Sequence, residues 1–191
     1  MRVLGQIGAL AFLAVGVAHG QALLEAVRFA AADLNQDGVL EVVLAGRIGP
    51  YRSGMGLGAV QVGMSDRGII RILGDAGDLP LVRDVGIGDF GGDGHLDVFT
   101  VGAGWLQVHQ YGSGNLNLIA RTQLQSDWTD RVAILGGQGW TLVAVTEYTV
   151  QPDRDVGSTI VRGFDCRGGA FVEVWTLQVA AHVGDLVLLG E

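Results

Sequence analysis

Asp33, Asn35, Asp37 and Glu41 put oxygen-bearing side chains at positions 1, 3, 5 and 9 of a nine-residue stretch, D-L-N-Q-D-G-V-L-E, with Gly38 at position 6. Oxygen donors at alternate positions turn inward when a chain curls around a hard cation. Calcium takes six to eight such ligands at ~2.4 Å, mixing carboxylates, amides, a backbone carbonyl and water. Glycine at position 6 permits the sharp bend, after which the carbonyl of Val39 at position 7 can serve as a ligand and Glu41 can close the cage. A second stretch repeats the pattern as Asp89-Phe-Gly-Gly-Asp93-Gly94-His95-Leu-Asp97. Asp89, Asp93 and Asp97 hold positions 1, 5 and 9, His95 holds position 7, and Gly91 leaves position 3 without a side chain. The second loop is therefore expected to be the weaker of two Ca²⁺ sites. A helix-loop-helix calcium hand would need a bidentate Glu at position 12, where this chain has Leu44 and Thr100. The competing reading is that Asp-Gly marks ordinary turns, with Asp33 and Asp89 making local side-chain bonds to the backbone.

Both loops precede an apolar run, E-V-V-L-A-G and D-V-F-T-V-G, and the same turn-then-strand pattern extends along the chain. Four segments align, at 35–47, 91–103, 136–148 and 179–191, making Glu41, Asp97, Leu142 and Asp185 equivalent with spacings of 56, 45 and 43 residues. Strand-built periods of this length read as propeller blades. The runs between them, such as AVQVGM, WLQVHQY and STIVRGF, are β-rich and punctuated by Gly, Asp and Asn. The expectation is an all-β fold of about fourteen strands, or 3.5 to 4 four-stranded antiparallel blades. The last strand, at 185–189, would pair with the first at 24–31, or a partner chain would complete the ring, or the chain is a piece of a longer product. Gln138 and the bare glycines of the third repeat, and the lone Asp185 of the fourth, predict no ion at either.

The two loops, in ADLNQDGVLEVVLAG and GDFGGDGHLDVFTVG, resemble the FG-GAP/VCBS repeats of integrin-α-like β-propellers. That resemblance implies Asp33, Asn35, Asp37 and Glu41, with Asp89, Asp93 and Asp97, as calcium ligands. Glu41 in place of the usual Asp and the missing side chain at Gly91 depart from the family pattern. Family propellers also typically have more blades than this chain can supply.

Composition agrees with a folded chain: 191 residues, 49% hydrophobic and 17% charged, with 32 glycines and no collagen period. A net charge of −8, with arginine the only strong cation, argues against nucleic acid or anionic lipid as partner. Met1-Arg2 followed by an apolar run to Ala18-His-Gly20 has the pattern of a secretory signal peptide, cut after Gly20 or Ala22, leaving 21–191 as the repeat domain. Membrane contact is expected only through this segment if it is retained. The single Cys166 excludes an internal disulfide and is expected to be a small buried hydrophobe that tolerates serine.

Other motifs carry less. Gly86-Ile-Gly88-Asp-Phe-Gly91 spells G-x-G-x-x-G, but a strand rather than a helix follows. The loop 51–58 reads as a long connection, and His95, His109 and His182 lack zinc spacing. Trp140 and Trp175 are expected to pack between blades, and Trp128 to be exposed. Together these features point to an exported, non-enzymatic, calcium-binding module of the cell envelope, serving adhesion, ligand binding or scaffolding with a protein or glycan partner. Two alternatives stand beside it: a carbohydrate-active propeller (lectin, lyase or hydrolase), and a half-ring that forms a homodimer.

Overall fold

The computed structural model describes residues 24–48, 57–66, 69–137, 139–150 and 157–189; the signal-like segment and most of the 51–58 loop lie outside them. Alternation of apolar and small residues, broken by Gly- and Asp-containing turns, yields β-strands throughout, and no helix forms among the described residues. The strands are β1 (Leu24–Ala32), β2 (Glu41–Ile48), β3 (Leu57–Asp66), β4 (Ile69–Leu79), β5 (Asp84–Gly88), β6 (Asp97–Gly102), β7 (Trp105–Gly112), β8 (Asn115–Gln123), β9 (Thr129–Gly137), β10 (Trp140–Val150), β11 (Gly157–Asp165) and β12 (Val172–Val179). They form three four-stranded antiparallel meanders, β1–β4, β5–β8 and β9–β12, each in chain order.

The three sheets are stacked through two apolar layers. Leu34, Val43, Ala45, Val60 and Val62 of the first sheet's region meet Val82, Val85, Val98 and Leu116 of the second. On the far side of the second sheet, Phe99, Val101, Leu106 and Val108 meet Val132, Val143, Val145 and Phe164 of the third. All six residues of β6 are buried, because successive side chains enter opposite layers, Val98 one and Phe99 the other. The first strand of the middle sheet, β5, packs against the first strands of both neighbours, β1 and β9. Gly74 of β4 lies so near the β7–β8 turn that a Cβ there would stand 2.4 Å from the Gly114 carbonyl oxygen.

Several expectations are corrected. Twelve strands, not about fourteen, occur among the described residues. Residues 185–189 form no strand, and β1 pairs with β2 alone among the described strands. The segment's hydrogen bonds run through side chains instead: Thr159 Oγ1 donates to the Ala181 carbonyl, and Arg131 Nε to that of Gly184. Trp140 and Trp175 are 39% and 36% exposed rather than sandwiched. Trp140 directly follows a turn, whereas Trp175 sits on the outermost strand and lies over Gly163, where a Cβ would meet its ring at 2.1 Å. Trp128 is 47% exposed, as expected, with its indole Nε1 donating to Asp130 Oδ2 at 3.1 Å.

Candidate metal centre

Each aspartate-rich loop joins the first strand of its sheet to the second, Ala32 pairing with Glu41 and Gly88 with Asp97 across the loop mouths. Their internal bonding matches at positions 1 and 5, and Asp89 also accepts the Gly92 amide at 2.8 Å. Asp33 accepts the amide N–H groups of Asp37 (3.0 Å) and Gly38 (2.9 Å), and Asp89 those of Asp93 (3.1 Å) and Gly94 (2.9 Å). Asp37 accepts Val39 N–H and Asp93 accepts His95 N–H, at 2.8 and 2.9 Å. Positions 4 and 6 are left-handed in both loops: Gln36 (φ 62°) and Gly38 (φ 86°) in one, Gly92 (φ 75°) and Gly94 (φ 88°) in the other. Glycine meets that requirement without strain, and Gln36 does not. Asn35 adds its own bonds in the first loop, accepting Asp37 N–H and donating to Asp37 Oδ2, both at 3.0 Å.

The position-9 carboxylates have a second duty that the spacing alone did not reveal. Glu41 Oε2 accepts Leu34 N–H at 2.8 Å, and Asp97 Oδ2 accepts Phe90 N–H at 3.1 Å, so each closes its loop from a buried position. The longer arm of Glu41 reaches the amide equivalent to the one Asp97 holds. Asp97 Oδ1 is buried with no hydrogen-bond partner. Burial raises the Asp97 carboxyl to about 6, the charges of Asp93 and Asp89 push the same way, and the Phe90 amide opposes them. Glu41 and Asp37 extend this negative field to Tyr111, whose phenol is raised chiefly by burial and further by these two carboxylates.

Val39 and His95 at position 7 are both exposed. The loops touch each other: Gln36 Nε2 donates to the Gly94 carbonyl at 3.0 Å and lies 3.3 Å from His95 Nδ1. No sequence signal marks a contact between residues 58 positions apart. Thr141 Oγ1 donates to the Asp89 carbonyl at 2.6 Å, tying the second loop to the third sheet. The third repeat's loop has shrunk to a two-residue turn between Gly137 and Trp140, too short to carry the alternating donors.

Among the described residues, no three His, Cys, Asp or Glu side chains converge as a ready-made metal cage. The loops instead offer hard oxygen donors already oriented by backbone N–H groups, and one buried carboxylate oxygen lacking any partner. That donor chemistry fits Ca²⁺ rather than a soft metal. No family model matches the chain, and no curated protein is significantly similar to it.

Proposed function

We propose that the chain is an exported β-propeller-like module of the FG-GAP/VCBS kind whose first two inter-strand loops bind calcium, and that it serves adhesion, ligand binding or scaffolding at the cell envelope rather than catalysis. Asp33, Asn35, Asp37, the Val39 carbonyl and Glu41 would hold one ion. Asp89, Asp93, the His95 carbonyl and Asp97 would hold the other. Bound calcium would neutralise the clustered carboxylates and brace the loops. The observation that carries the reading is the repetition of the bonds made by positions 1, 5 and 9 of the loop at the same place in successive sheets, with Asp97 Oδ1 buried and unpartnered in the second. The packing of β5 against β1 and β9 supports a blade-like arrangement around the first strands. The apolar run after Arg2 supports export.

Calcium that binds only the folded state stabilises it by RT ln(1 + [L]/Kd). With Kd of ~10⁻⁴ M and ~1 mM calcium, this is about 1.4 kcal/mol per site, a rise in melting temperature of about 3–5 °C for a chain of this length. Asp37→Ala is expected to abolish most of the shift, and Asp93→Ala to remove less, because Gly91 already denies the second loop one ligand. Magnesium is expected to substitute poorly. A melting curve that a chelator leaves unmoved would sink the calcium reading.

A further inference from the structure

The two aspartate-rich loops each join the first and second strands of their sheet, and one side chain bridges them. Position 4 is where each loop meets the next element along the stack. In the second loop position 4 is Gly92, where a Cβ would stand 3.0 Å from the carbonyl oxygen of Gly139 in the β9–β10 turn. In the first loop position 4 is Gln36, exposed and left-handed at φ 62°, and its Nε2 donates to the Gly94 carbonyl of the second loop at 3.0 Å. A left-handed glutamine carries a steric penalty that glycine escapes. What the glutamine adds is a donor long enough to cross to the neighbouring loop.

The bridge lands on a peptide unit of the second loop that is held at both ends. Its oxygen, that of Gly94, accepts Gln36 Nε2, and its N–H, that of His95, donates to Asp93 Oδ1 at 2.9 Å. Gln36 Nε2 also lies 3.3 Å from His95 Nδ1. The matching unit of the first loop shows the same inner bond, Val39 N–H to Asp37 Oδ1 at 2.8 Å. A donor on a peptide carbonyl polarises the unit and strengthens the bond its N–H makes. Gln36 therefore braces the Asp93 carboxylate at position 5 and sets the direction in which the chain leaves toward the His95 carbonyl at position 7.

Resting on the calcium reading above, we propose that this bridge couples the two cation sites: calcium in the first loop raises the affinity of the second, and by linkage the second raises that of the first by the same factor. Without a cation, Asp33, Asp37 and Glu41 repel one another, and Gln36 can relax from its left-handed conformation, which withdraws its amide from Gly94. An ion held by Asp33, Asn35 and Asp37, on both sides of Gln36 in the chain, keeps that residue in place and the bridge with it. The second loop then meets its ion with the Gly94–His95 peptide already set, so less ordering remains. Asp97 Oδ1, buried and unpartnered among the charges of Asp89 and Asp93, is the oxygen that this second ion would satisfy. An opposing effect exists, because an ion in either loop weakens the negative field that draws the other. Both loops are largely exposed, and salt screens that effect.

Calorimetric titration of the calcium-free full chain with CaCl2 in about 0.15 M salt tests this, with circular dichroism confirming that each variant folds. The unchanged chain is expected to bind two ions cooperatively. Asp37→Ala, which disables the first loop, is expected to leave the second binding about three- to tenfold more weakly than in the unchanged chain, the range that one hydrogen bond supplies. Asp93→Ala should weaken the first loop by the same factor. Gln36→Gly keeps every proposed ligand, relieves the left-handed strain and deletes the bridge. Two ions should still bind, now independently, and the further change Asp37→Ala should no longer weaken the second loop. Two ions bound independently by the unchanged chain, or cooperativity that survives Gln36→Gly, would overturn the coupling and leave the calcium reading standing. A single ion would overturn the coupling and confine that reading to one loop. No calcium binding at all would sink the reading itself, and the coupling with it.

Discussion

His109 is fully buried in β7, with Nε2 3.4 Å from Thr100 Oγ1 and Nδ1 without a partner. Burial lowers its imidazole from 6.5 to about 4, so the folded chain keeps it neutral where the unfolded chain protonates it. Between those values the unfolded state binds the extra proton, and stability falls as pH falls from 6.5 toward 4, by up to about 3 kcal/mol. His109→Gln is expected to flatten this part of the profile relative to the unchanged chain, read as denaturant midpoint against pH; parallel profiles would refute it. Glu147 presents a different buried charge. Its Oε2 accepts the amides of Gln125 and Ser126 at 2.6 and 2.8 Å, and its Oε1 accepts Arg162 Nε. Arg162 Nη1 in turn donates to both oxygens of Glu173, so the buried carboxylate is fully compensated.

At the scale of the elements, the turns decide how closely the strands can approach. Gly102 ends β6 where a Cβ would stand 1.8 Å from the Leu81 carbonyl oxygen, beside the Arg83 N–H to Val101 carbonyl bond of 2.8 Å. Gly102→Ala must displace backbone, and is expected to lower unfolding free energy by about 3 kcal/mol or more. Gly38→Ala meets open space and is strained only by its φ of 86°, so it should cost about 1–2 kcal/mol. Comparing the two denaturation midpoints checks the order. The loops and the strands flanking them were legible in the sequence because D-x-N-x-D-G and period-2 alternation are local patterns. The shortened third turn was not: Gly136, Gly137 and Gly139 suit a tight turn and a longer loop equally, and only the pairing of Leu135 with Leu142 fixes its length. Trp175 was misplaced for a related reason, since an apolar strand reads alike at the edge and the centre of a sheet.

In the whole molecule, the stacking order leaves β12 as an outermost strand with Val172, Val174 and Leu177 each more than half exposed. Long apolar edges of this kind invite pairing with other chains, and nothing in the strand's own composition announces that position. At the opposite extreme of burial stands the chain's single thiol. Cys166 is wholly enclosed, in the layer shared with Phe90, Phe99 and Phe164, and its pKa is pushed up to about 12 by that burial, with the Asp165 charge adding to it. The expected tolerance of serine does not survive this placement: Cys166→Ser puts a hydroxyl into an apolar layer and should cost about 1–3 kcal/mol, read from the denaturation midpoint. The same enclosure supplies an internal clock. A thiol that is neither accessible nor ionised in the native chain reacts with an alkylating reagent only while the layer between the second and third sheets is open, so labelling rate against denaturant reports the free energy of that opening without any introduced probe.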